Sequence, residues 1–173
     1  WLNIFLYLFM NKSITFLLID DDIDDTDLFQ DVINDVDPAL HFISAVNGQE
    51  ALELLTNRKD ALPDLIFLDL NMPRKNGLTC LKEIRSNDKL KDVAVAIYST
   101  SSYEKDIDET FHHGANVYIK KPTDFDTLKK VLHKVLSAAY VYREPPFSIE
   151  NFLLKLWCTR QPVIGYPASW EEQ

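Results

Sequence analysis

Four short stretches hold the side chains best able to do chemistry. They are Asp20-Asp21-Asp22, Asp69, Ser99-Thr100, and Lys121 followed by Pro122. Each lies at the end of an apolar run. Three close carboxylates repel one another and keep their protons unless a cation enters among them. Hard oxygen ligands with room for water suit Mg²⁺. A metal held there neutralises incoming phosphate charge, and a central carboxylate such as Asp69 can attack phosphorus. Lys121 offers a point charge to a phosphoryl oxygen, and Ser99 a hydrogen bond. Together they suit phosphoryl transfer by positioning and electrostatics.

The elements that must bring these residues together are short. The apolar runs 13–19 (SITFLLI), 41–46 (HFISAV), 64–69 (DLIFLD), 93–98 (VAVAIY) and 116–119 read as strands. Apolar residues at helical spacing fill 24–36, 49–57, 77–86, 103–113 and 126–139, with Pro38 ending the first of these and Gly114 capping the fourth. Five strands alternating with five helices, the strands apolar throughout, demand a parallel sheet covered on both faces. Ligands of such sheets bind at the carboxyl ends of the strands, where all four stretches fall.

In these positions LLIDDD, FLDLNMPRKNG, Ser99-Thr100 and YIKKP resemble the receiver domain of bacterial two-component response regulators over residues 13–139. The FLDLNMPRKNG run is particularly similar to small single-domain, CheY-like receivers, some of which serve phytochrome-type kinases. The resemblance implies a flavodoxin-like α/β fold, a doubly wound five-stranded parallel sheet of order 2-1-3-4-5. It implies that Asp69 is the phosphoacceptor and that Asp21 is a direct Mg²⁺ ligand, with Asp20 acting through water. Asp69 itself and the backbone carbonyl of Asn71 complete the ligand set, and Mn²⁺ is the expected substitute ion. Ser99 would close onto the phosphoryl group, Tyr118 would turn inward as the aromatic switch, and Lys121 would pair with the phosphate. Pro73, Gly77 and Pro122 would shape turns, the Lys121–Pro122 bond being often cis in the family. The side chains of Asn71 and Ser101 would flank the route of the attacking water.

The resemblance implies a stand-alone phosphorelay switch that assists its own phosphorylation and dephosphorylation and is not a turnover enzyme. A sensor histidine kinase or a phosphotransfer protein would be the donor. An unknown downstream protein, or a homodimer formed through the fourth helix, fifth strand and fifth helix, would read the result. Two other readings compete. Asp20-Asp21-Asp22 also resembles the nucleophile motif of haloacid-dehalogenase-type, Mg²⁺-dependent phosphatases, with Asp20 as nucleophile. A degenerate receiver serving only as an interaction module is the third.

The bulk composition narrows the field further. A formal charge of -9 over 173 residues repels nucleic-acid phosphates. Cys80 and Cys158 form no spaced motif, which points away from zinc or disulfides and toward a reducing, cytoplasmic setting. Residues 1–9 are apolar but too few to span a membrane. Trp1 is not a natural start residue, so Met10 reads as the start and 1–12 as a non-native or flexible extension. The proline- and aromatic-containing stretch 140–173 reads as a tail without a domain of its own, with a short helix over 149–156. Asp22, Asp24, Asp25 and Asp27 read as a solvated helix start favoured by the helix dipole. His41, His112, His113 and His133 form no acid–base or metal pattern.

Overall fold

The computed structural model describes residues 14–57, 61–73 and 75–137. The expected N-terminal extension and C-terminal tail lie outside them. Strands β1 (Thr15–Ile19), β2 (His41–Ala45), β3 (Leu65–Leu68), β4 (Ala94–Ser99) and β5 (Val117–Lys120) alternate with helices α1 (Ile23–Val36), α2 (Gly48–Asn57), α3 (Gly77–Ser86), α4 (Glu104–His112) and α5 (Phe125–Ser137). The strands form one parallel sheet of order β2-β1-β3-β4-β5, as the flavodoxin-like reading requires.

Strand alternation divides the core in two. Phe16, Leu18, Phe67, Tyr98, Val117 and Ile119 face α1 and α5, joining Phe29, Ile33, Leu128 and Leu132. Leu17, Ile19, Ile66, Leu68, Ile97 and Tyr118 face the opposite layer, with Ala51, Leu55, Cys80, Leu81 and Ile84 from α2 and α3. Ile107 and Phe111 of α4 pack onto this second layer. Three of the four strands that meet the site, β1, β3 and β4, are buried along all or nearly all their length, so their carboxyl ends are held rigidly.

Local signals set the helix ends. Asp22 caps α1, its Oδ1 accepting from the amides of Asp24 (2.9 Å) and Asp25 (3.3 Å). Asn76 caps α3 through the Thr79 amide at 2.9 Å. Gly114, at φ +82°, takes the left-handed conformation just beyond α4. Arg85 ties the layers together, donating to the carbonyls of Val93 (2.9 Å) and Gly114 (2.8 Å) and to Asn116 Oδ1 (2.8 Å).

Candidate functional site

The ends of β1, β3, β4 and β5 meet at one edge of the sheet. Backbone bonds fix the convergence: the Asp69 amide donates to Ile19 O (3.0 Å), and the Lys121 amide to Ser99 O (2.9 Å). Asp20, Asp69 and Lys121 continue the alternation that faces α1, whereas Ser99 continues the other face.

Asp20, Asp69, Ser99 and Lys121 are all buried, while Asp21 is exposed beside them. One carboxylate oxygen from each of Asp20, Asp21 and Asp69 lies within 4.8 Å of the others, a spacing that a single cation can bridge. Asp69 Oδ1 is buried without a hydrogen-bond partner among the described residues. Leaving a buried carboxylate oxygen unpaired is costly, so this atom fits the position of a metal ligand. Asp20 Oδ1 accepts from the Asp22 amide (3.1 Å).

The Lys121 ammonium lies 2.7 Å from Asp20 Oδ2, 2.8 Å from Asp25 Oδ2 and 3.4 Å from Asp69 Oδ2. Asp20 Oδ2 meets it at ion-pair distance without the angles of a hydrogen bond. Burial pulls the lysine pKa down, but the Asp20 and Asp25 carboxylates outweigh it and hold the group above its ordinary value. Burial raises Asp20 above the usual carboxylate range, against the opposing pull of Lys121. Lys120, one residue earlier, is exposed. Asn71, also exposed, donates from Nδ2 to Ser99 Oγ at 3.4 Å.

Tyr118 is buried, its hydroxyl donating to Ser101 O at 3.1 Å, so the ring is already turned inward. Ser101 Oγ donates to Asp106. Gly77 matters for close approach rather than for its turn dihedral. A Cβ built there would sit 2.0 Å from the Asp69 carbonyl oxygen and 2.8 Å from Leu70 Cα. No peptide bond among the described residues is cis, so the expectation for Lys121–Pro122 is corrected to trans. Trans is the intrinsically favoured form of an X–Pro bond, by about 0.5–1 kcal/mol.

Two participants escape a sequence-level reading. Asp25, grouped there with the solvated acids of α1, is half-buried and ion-paired with Lys121. Tyr98 reads as core and is core, yet its ring lies 5.6 Å from the Lys121 ammonium. Burial, with Asp25, Asp20 and Asp69 close by, drives the Tyr98 phenol well above its ordinary pKa.

The chain is similar to several known proteins. The Nitrate/nitrite response regulator protein NarL of Escherichia coli is 35% identical over 100 residues, covering 58% of this chain and 44% of NarL. The chain thus spans less than half the length of that relative. Response regulator Rcp1 of Synechocystis is 30% identical over 131 residues, covering 73% of this chain and 89% of Rcp1. The solved Mn(2+)-bound form of Rcp1 superposes with a TM-score of 0.65 at 29% identity, over 72% of this chain and 93% of Rcp1. The phosphorylated cyanobacterial phytochrome response regulator RcpA gives a TM-score of 0.69 at 28% identity, over 75% of this chain and 95% of RcpA. None of these favours the phosphatase or the degenerate-module reading. Residues 16–133 match the response regulator receiver domain, and the chain belongs to that family.

Proposed function

We propose that Asp69 accepts a phosphoryl group and that the added charge switches partner binding. The observation that carries this reading is the buried Asp69 carboxylate. It has one unpartnered oxygen, sits beside the Lys121 ammonium, and lies within the Asp20–Asp21 cluster. An Asp69 carboxylate oxygen forms the new bond to phosphorus while the donor's bond to phosphorus breaks. The leaving group is the imidazole of a histidine kinase or phosphotransfer protein, or acetate from acetyl phosphate. The imidazole takes up a proton as it leaves.

Asp20, Asp21, Asp69 and the Asn71 carbonyl would hold Mg²⁺, or Mn²⁺ in its place. The bound ion supplies neutralisation of the phosphoryl oxygens. Lys121 would pair with one phosphoryl oxygen and Ser99 would donate to another. Tyr118 follows Ser99 through the Ser101 segment to which its hydroxyl is bonded. The phosphoryl group adds about -1.5 to -2 charge units, enough to bias a two-state element. The signal leaves through the α4–β5–α5 face, to a downstream protein or a second copy of the chain. The domain acts as a switch in its own right, and a phytochrome-type kinase is the first donor to try, given the similarity to RcpA.

Intact mass after incubation with acetyl phosphate and Mg²⁺ tests the reading. A single adduct is expected on the wild type, and none on Asp69→Asn or without Mg²⁺. Equal adducts on wild type and Asp69→Asn would sink it. Size-exclusion chromatography of the same samples reads any change of oligomeric state.

A further inference from the structure

We propose that Asp25 is a positioning residue that, together with Asp20, holds the Lys121 ammonium short of a full hydrogen bond to the phosphoacceptor and thereby slows entry of a phosphoryl donor. This rests on the reading of Asp69 as phosphoacceptor. One ammonium here serves three carboxylates, and the distances divide it unequally. Lys121 lies 2.7 Å from Asp20 and 2.8 Å from Asp25, the latter in a direct hydrogen bond, but 3.4 Å from Asp69. The lysine side chain is only 6% exposed, so water contributes little to its solvation and the carboxylates decide where it rests.

Asp25 is well placed to hold it. It lies in the first turn of α1, and its own amide is bound by the Asp22 cap. Its carboxylate is not part of the three-oxygen cluster of Asp20, Asp21 and Asp69. The Tyr98 ring, 5.6 Å from the ammonium, supports the parked position from below. When Asp69 gains a phosphoryl group, the ammonium is drawn to the new oxygens and Asp25 gives it up. Until then Asp25 adds a negative charge to a pocket that a dianionic donor must enter.

Asp25→Asn keeps the shape and removes the charge, and Asp25→Glu keeps the charge. The second-order rate constant for acetyl phosphate, read by intact mass at low salt, should rise about threefold to tenfold in Asp25→Asn and stay near wild type in Asp25→Glu. The difference should shrink in about 1 M salt, where screening acts within ~3 Å. A purely structural role would not make the difference salt-dependent. A rate in Asp25→Asn at or below wild type, or an equal gain in Asp25→Glu, overturns the proposal.

The metal-free protein gives a second readout. The Lys121 ammonium should show a proton-exchange-protected signal in ¹⁵N-lysine NMR of the wild type and lose it in Asp25→Asn. An unchanged signal overturns the proposal. Failure of the phosphoacceptor reading shows separately, as an adduct that survives Asp69→Asn.

Discussion

Burial and charge pull Asp20 in opposite directions. Its side chain is fully shielded from solvent. Burial raises its pKa more than Lys121 and the Asp22 amide lower it. An acid whose folded pKa exceeds its unfolded value binds protons more tightly in the folded state, so stability falls as pH rises between the two values. At neutral pH the ionised Asp20 therefore works against folding of the metal-free protein. Asp20→Asn should raise the metal-free Tm by about 3–6 °C. Mg²⁺ should raise the wild-type Tm and have a smaller effect on the variant, because a ligand of the ion is gone. Calorimetry with and without Mg²⁺ checks both, and a lower metal-free Tm in Asp20→Asn would refute the account. Asp20 and Asp69 were legible in the sequence because each closes an apolar run, and Lys121 because it precedes Pro122 in YIKKP. Asp25 was not, because the direction of a helical side chain emerges only once Asp22 has fixed the phase of α1.

Gly77 acts at the scale of the elements, opening α3 against the turn that carries Asp69. Its amide donates to Leu70 O at 3.1 Å, bringing the helix start onto the backbone after β3. Because the atoms a Cβ would meet are backbone, no side-chain rotation relieves the clash. Gly77→Ala should cost about 1–3 kcal/mol, seen as a lower denaturation midpoint. Its phosphorylation by acetyl phosphate should slow in parallel, since Asp69 must shift. A variant with wild-type midpoint and rate would contradict the close approach. The sequence identified all five strands, and their ends fall within about two residues of the observed ones. A polar residue accounts for one of the slips: Ser99 belongs to β4 because its backbone pairs with Lys120, whatever its side chain. Hydropathy reads side chains, whereas the ladder is made by the main chain.

The molecule is held together by two layers of different character. The layer under α1 and α5 is rich in rings: Phe67 packs edge-on against Phe16 (5.5 Å), Phe29 (4.8 Å) and Tyr98 (6.0 Å). Phe67→Ala should cost about 3–5 kcal/mol, measured by urea unfolding. It also removes the support beneath Tyr98 and, through it, Lys121. A cost well below this would mean that the neighbouring rings collapse into the gap. Alternation of apolar runs and helices was enough to require a covered parallel sheet. The strand order came through the resemblance carried by the motifs, because periodicity does not say which strand lies beside which.

That order has a consequence in time. β1 and β3 are neighbours, Leu17 beside Ile66, yet about fifty residues of chain separate them. The pocket needs both strand ends, and those of β4 and β5 as well. Each parallel pairing must wait for the closure of a loop that spans a whole helix, and such non-local contacts slow folding. No early fragment of the chain carries the site: during synthesis it comes into being only after Lys121 has emerged, when the acids of β1, made a hundred residues before, acquire their counter-charge.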